Sequence, residues 1–192
     1  MSDSLSHEAA AGKPSRSPSG WRRRALIAVL AVPPAVMSIY MGLYQIRAIE
    51  SVWDPVFGAQ TLAVLDSNVS HAIRDLFRIP DAFLGAMIYI ADIVLAVVGS
   101  QQRWYQKPWL VILFALAIVP GAVVSLLLVV MQATVVQAWC FLCLLTALFS
   151  VILVILAYPE VRASIGYLGS VWTRFHAAMP VWKAAWGHEV HG

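Results

Sequence analysis

The chain contains only two cysteines, and they stand three residues apart, as Trp139-Cys140-Phe141-Leu142-Cys143. Random placement in 192 residues seldom gives that spacing, so it carries information. On a helix, positions i and i+3 share a face, and two thiols there can join after modest local adjustment. Such a pair performs two-electron chemistry, because its thiolate attacks and its disulfide reopens. Two other uses compete. A structural zinc site needs four nitrogen or sulfur ligands, and the neighbouring segments offer only His71 as a further imidazole. Inert packing cysteines would need nothing more.

The elements that must position the pair follow from composition. Apolar residues make up 60% of the chain and charged residues 12%, about half the charged share of an ordinary soluble domain. That excludes a soluble globule, and the hydrophobicity excludes a disordered chain. Four apolar runs, 25–46, 82–99, 108–132 and 139–158, are each long enough for a bilayer-spanning helix. The first carries Pro33-Pro34 and the third Pro120-Gly121, which predict a kink and a bend. The expected fold is an all-α membrane protein, a four-transmembrane-helix bundle. Residues 1–24 read as a disordered cytoplasmic tail, 25–158 as the catalytic transmembrane domain, and 159–192 as a cytoplasmic interfacial tail with Trp172, Phe175, Trp182 and Trp186.

Charge sets the orientation. Of thirteen Lys and Arg, ten lie in the two tails and the short loop 100–107, and three in the long loop 47–80. The positive-inside rule places both tails in the cytoplasm and loops 47–80 and 133–138 outside. The net charge of +3 is therefore a topology signal, with no nucleic-acid partner implied. The long outer loop carries Leu62, Leu65, Val69, Ile73, Leu76 and Phe77 at helical spacing, an amphipathic helix suited to capping the bundle. A helix merely filling the loop fits that pattern equally well.

The fourth span runs inward, so Cys140 and Cys143 lie at the outer end of the bundle, with Cys140 in the first turn, where the helix dipole favours a thiolate. At that depth the pair can exchange electrons with a membrane quinone below and a protein dithiol above. A quinone needs an apolar pocket with a polar group or two. Asp81, opening the second span, and Thr146, one turn below Cys143, are the candidates. Asp92 lies roughly 16 Å further along the second helix. Its options are an interhelical hydrogen bond or a proton path.

These residues resemble the vitamin K epoxide reductase family. The resemblance rests on Pro80-Asp81-Ala82-Phe83-Leu84-Gly85 opening the second span, Trp139-Cys140-x-x-Cys143 opening the fourth, and a long outer loop with a helix. Within that loop, Trp53-x-Pro55-x-Phe57-Gly58 and Val64-Leu65-x-Ser67-x-Val69-Ser70 resemble the bacterial members, and the likeness covers about 25–157. It implies an integral membrane oxidoreductase that couples reduction of a quinone, menaquinone or ubiquinone, to oxidation of protein thiols through a thioredoxin-like extracytoplasmic partner. It also implies an inner (plasma) membrane location, with Cys143 facing the quinone and Cys140 accepting electrons from outside. Asp81 stands where many members have an asparagine that hydrogen-bonds a quinone carbonyl; an aspartate donates only when protonated. Members usually carry two more cysteines in the outer loop, and 47–80 has none. Two alternatives remain at this level: a DsbB-type disulfide oxidase, which usually carries its pair near the second span, and a non-enzymatic membrane subunit with packing cysteines.

Overall fold

A computed structural model describes residues 19–175 and Trp186. The readings of 1–18 as a disordered tail and of Trp182 as interfacial lie outside the described residues. The helices are α1 (Trp21–Gln45), α2 (Ala59–Leu65), α3 (Asn68–Phe77), α4 (Asp81–Val97), the short α5 (Arg103–Gln106), α6 (Pro108–Met131) and α7 (Phe141–Phe175), with a π-helical turn, Gln132–Val136, between the last two. No strand occurs among the described residues.

By length and composition, α1, α6 with its π turn, and α7 can each cross a bilayer. Helix α4 has 17 residues, roughly 25 Å of rise. It passes the same test when joined to 59–77, from which it is bent by 65°. The chain therefore has three or four spans, all helical, as a multi-pass membrane protein requires. Helices α1 and α6 run unbroken across Pro33-Pro34 and Pro120. Helix α7 continues past 158, the expected end of the last run, and through Pro159. Tertiary bonds hold that extension: Glu160 pairs with Arg103, and Ser164 Oγ donates to the Trp104 carbonyl at 2.8 Å.

The bundle is a ring in which α1 packs on α4, α4 on α6, α6 on α7 and α7 on α1. Small residues let the backbones approach, as is usual between helices in lipid. Ala28, Ala31, Ala35, Ala96 and Ala157 share the inner core with Ile27, Phe114 and Leu153. At Gly42 a Cβ would lie 2.8 Å from the Phe83 ring, so that α1–α4 contact requires glycine. Large apolar side chains cover the perimeter instead: Val29, Val36, Leu116, Leu127 and Ile155 are all more than half exposed. A water-facing surface would not carry such a belt, and a lipid-facing one needs it.

The end of the bundle away from Cys140 is locked by buried charge. Arg24 donates to the Ala96, Val97, Val98 and Gly99 carbonyls at 2.6–2.9 Å, closing the C-terminus of α4. Arg103 pairs bidentately with Glu160, which also accepts Ser19 Oγ at 2.6 Å. All three charged side chains are at most 1% exposed. In the sequence, Arg24 and Arg103 read as flanking topology charges; in the fold they are buried helix ties.

The amphipathic segment of the outer loop is two helices, α2 and α3, broken at Asp66-Ser67. Ser67 caps α3, its Oγ accepting from Ser70 N at 3.3 Å. Asp66 is drawn aside by Tyr44 Oη at 2.6 Å and Arg47 at 3.3 Å. The two helices differ in burial. Thr61, Val64 and Leu65 of α2 are buried, whereas in α3 only Ser70 is, and Leu76 and Phe77 stay exposed.

Candidate active site

The cysteine pair is set by how α6 ends and α7 begins. The π turn widens the end of α6 and closes at Gln137, whose φ of 53° is left-handed. The chain then reaches Cys140, immediately before the first residue of α7. Its carbonyl accepts Leu144 N at 3.1 Å, and its Sγ accepts Cys143 N, also at 3.1 Å. Cys140 therefore occupies the N-cap, with its sulfur where a serine oxygen would ordinarily sit. The two residues form a disulfide with their Cα atoms 5.2 Å apart.

The neighbouring N–H groups, orphans at any helix start, each find a side chain from elsewhere. Trp139 N donates to Gln60 Oε1 at 3.2 Å, Cys140 N to Gln132 Oε1 at 3.2 Å, and Phe141 N to Asp54 Oδ2 at 2.9 Å. Asp54 also accepts Val56 N and Phe57 N at 2.8 Å each, and the Thr61 hydroxyl. Burial pushes this carboxyl up, but the hydrogen bonds from Thr61, Phe57, Val56 and Phe141 outweigh it and hold it below the ordinary aspartate value. The turn it organises passes Gly58, whose φ of 52° suits glycine. Phe57 stacks on Trp139, the residue before Cys140, with centroids 6.5 Å apart.

The two sulfurs have different surroundings. Cys140 is fully buried, packed among Met41, Tyr44, Val52, Val64, Leu65 and Leu142. Cys143 is partly buried and lines two adjoining cavities. Met41 Sδ bridges them, 4.0 Å from Cys140 Sγ and 3.7 Å from Cys143 Sγ. The first cavity, about 490 Å³ and partly open to the surroundings, has apolar walls from Met41, Leu65, Ala82 and Leu128. Its polar wall includes Asp81, Gln132 and Thr146. The second, about 390 Å³, lies toward α3 and shares Leu65, Asp81, Leu128 and Gln132 with the first.

Of the residues singled out in the sequence, the fold brings Cys143, Asp81 and Thr146 to one cavity and sets Cys140 behind its wall. Thr146 Oγ1 donates to the Cys143 carbonyl at 2.9 Å. Asp81 opens α4, and its Oδ1 accepts Ser70 Oγ at 2.8 Å together with Gln45 Nε2. Sequence reasoning missed Asp54, Gln132, Gln45 and Met41. Asp54 occupies an unread position inside the Trp53–Gly58 segment, and Gln132 is the lone amide at the end of the third apolar run. Among the described residues, no group of three His, Cys, Asp or Glu side chains could hold a metal ion.

A disulfide at a helix N-terminus, at one end of an all-helical membrane bundle, is the arrangement of a membrane thiol–disulfide oxidoreductase. The sequence profile of the Vitamin K epoxide reductase family matches residues 25–158. The chain belongs to that family. Comparisons with curated proteins and with solved structures returned no match.

Proposed function

We propose that the protein oxidises extracytoplasmic protein thiols and passes their electrons through Cys140 and Cys143 to a membrane quinone, menaquinone or ubiquinone. One observation carries this reading: Cys143 faces an apolar cavity while its partner sulfur is sealed at the helix cap. The cavity suits a quinone ring, its exposed lining being mainly apolar with polar groups contributed by several helices. A bound quinone would supply a two-electron acceptor.

The chain's own residues divide the work. Cys143 is the sulfur that reacts toward the cavity, and Cys140, buried under Val64 and Leu65 of α2, is the sulfur that exchanges with a partner once α2 is displaced. When the pair is reduced, the Cys143 N–H and the start of α7 favour a thiolate at Cys140. It is therefore a good leaving group when the partner's second thiol resolves the mixed disulfide, the first attack on Cys140 having released Cys143. Thr146 and Gln132 are the neutral polar groups nearest in sequence to the pair that line this cavity, with Ser38, Tyr89 and Ser125 around it. Asp81, its Oδ1 already accepting twice, tethers α1 and α3 to the mouth of the cavity through Gln45 and Ser70.

The loop 47–80 has no cysteine, so the shuttle thiols belong to another protein, a thioredoxin-like dithiol on the extracytoplasmic face. That partner approaches beside α2, near the exposed Trp53 and Trp139. The reading places the chain in the inner (plasma) membrane with both tails cytoplasmic.

The direct test uses the purified full chain in detergent with a reduced thioredoxin-fold protein and a water-soluble quinone analogue. Stoichiometric quinol formation that disappears on alkylating the reduced pair supports the reading. No quinol formation by an intact, reducible disulfide would overturn it.

A further inference from the structure

Among the described residues, the only buried side-chain oxygen or nitrogen without a hydrogen-bond partner is Asp92 Oδ1. Asp92 is 1% exposed and lies in α4, a turn below Tyr89. An ionised carboxylate without a counter-charge is expensive at such a place, so the side chain holds a proton. It lines a further small cavity, together with Tyr89 and Ile88 from its own helix, Ile118 and Ser125 from α6, and Ser150 from α7. The lining contains no Lys, Arg, His or second carboxyl group; Tyr89 is its only other titratable residue.

That cavity adjoins the one beside Cys143. Gly85, Tyr89 and Ser125 line both, so the two meet at these residues. The junction carries a chain of hydroxyls. Tyr89 Oη lies 2.7 Å from Ser150 Oγ and donates to the Thr146 carbonyl at 3.0 Å. Ser125 Oγ is 3.4 Å from Ser150 Oγ. On the far side, Thr146 and Cys143 face the larger cavity. The space that Asp92 lines with these hydroxyls has room for about one water molecule. A structural acid alone would need none of this polar lining, in a core otherwise built from Ala, Ile, Leu and Phe.

We propose that Asp92 is the proton-holding end of a relay, Asp92–Tyr89–Ser150/Ser125, that serves the cavity beside Cys143. The inference rests on the reading of that cavity as the quinone site. Proton balance gives the relay its purpose. Closing the disulfide from two thiols releases two electrons and two protons, but closing it from one thiol and one thiolate releases two electrons and a single proton. Reduction of a quinone to a quinol consumes two of each. With Cys140 held as a thiolate at the helix cap, one proton is missing. Asp92 gives up its carboxyl proton to the hydroxyl chain, Tyr89 passes one proton on as it accepts another, and the Asp92 carboxylate is refilled from solvent.

Infrared difference spectroscopy of the purified full chain, without added quinone, tests this at the carboxyl itself. Spectra are taken with the disulfide closed and after reduction by dithiothreitol, in H2O and D2O. The wild type should show a protonated-carboxyl band that is absent in Asp92→Asn, shifts in D2O, and moves when the pair is reduced. Tyr89→Phe, which keeps the ring and removes only the hydroxyl, should keep the band, slow its exchange by about tenfold or more, and uncouple it from the cysteines. A band indifferent to the redox state of the pair would overturn the relay, as would exchange unaffected by Tyr89→Phe or the lack of any such band. Quinone reduction is measured in the same preparation. A wild type that reduces quinone but has an unresponsive band removes only the relay, whereas a wild type that fails to reduce quinone removes the proposed function.

Discussion

Asp54 and Phe141 are 87 positions apart, yet the Asp54 carboxylate accepts the Phe141 N–H at 2.9 Å and so ties the outer loop to the first residue of the helix that bears the cysteine pair. The same carboxylate holds Val56, Phe57 and Thr61. One side chain thus fixes both the 54–61 turn and the start of α7.

Asp54→Ala should cost about 2–4 kcal/mol of stability, since it leaves several donors without a charged acceptor. Thermal unfolding in detergent measures that loss. The reduced pair should also react faster with external alkylating agents, because the outer loop loses its tie to the start of α7.

The pH dependence has a definite sign. The folded value of Asp54 lies below its ordinary one, so its stabilisation is fully present above about pH 4 and fades as pH falls through the folded value. The gap in Tm between wild type and Asp54→Asn should be constant from about pH 8 to 5 and shrink on further acidification. A gap that widened in acid would contradict the capping role.

Gln132 holds the Cys140 N–H from the end of α6. Gln132→Leu keeps the volume roughly constant and leaves that buried donor unpaired, a cost of about 1–3 kcal/mol. The reduction potential of the pair should shift while the helical circular dichroism stays unchanged. Redox titration against glutathione reads the shift; an unaltered potential would mean that Gln132 only fills space.

How much of this was written in the sequence depends on the kind of signal. Apolar runs and the Cys140/Cys143 spacing are local and periodic, so the helices and the cysteine pair were legible. Asp81 and Thr146 were legible as polar residues opening or lining a span, and both reach the cavity of Cys143. Asp54, Gln132 and Met41 were not, because each acts on residues 8 to 102 positions away, and no local pattern marks such a partner. The break at Asp66-Ser67 was missed for a related reason. The apolar spacing continues through it, but Tyr44 and Arg47 reward the interruption from another helix. Arg24 and Arg103 satisfy the charge rule in the sequence while tying α4 and α7 in the fold.

The outer helices should behave as a lid. Leu65 is 5% exposed and lines both cavities, while Ile73 is only partly buried on the more peripheral α3. Placing charge at both, Leu65→Glu with Ile73→Glu, should loosen the lid, speed reaction of Cys140 with external thiols and weaken quinone retention. Leu65→Glu should account for most of the change. Helices shown to be displaced with thiol reactivity unchanged would reduce the segment to loop filling.

At the end locked by buried charge, Glu160→Gln leaves the buried Arg103 without its charge partner, which should destabilise the fold by about 3–5 kcal/mol. The reduction potential of the cysteine pair, at the opposite end of the bundle, should stay where it is. Chemical unfolding and redox titration of one preparation separate the two effects.

Replacement of each cysteine alone, followed by quinone reduction and partner trapping, is the most direct measurement of the division of labour between the sulfurs. Cys143→Ala should abolish quinone reduction and leave Cys140 able to hold a thioredoxin-like protein as a mixed disulfide, visible on non-reducing gels and identifiable by mass spectrometry. Cys140→Ala should abolish both partner exchange and turnover. Full quinone-coupled thiol oxidation by either single variant would show that the pair is not the active site, and trapping through Cys143 in place of Cys140 would reverse the assigned roles.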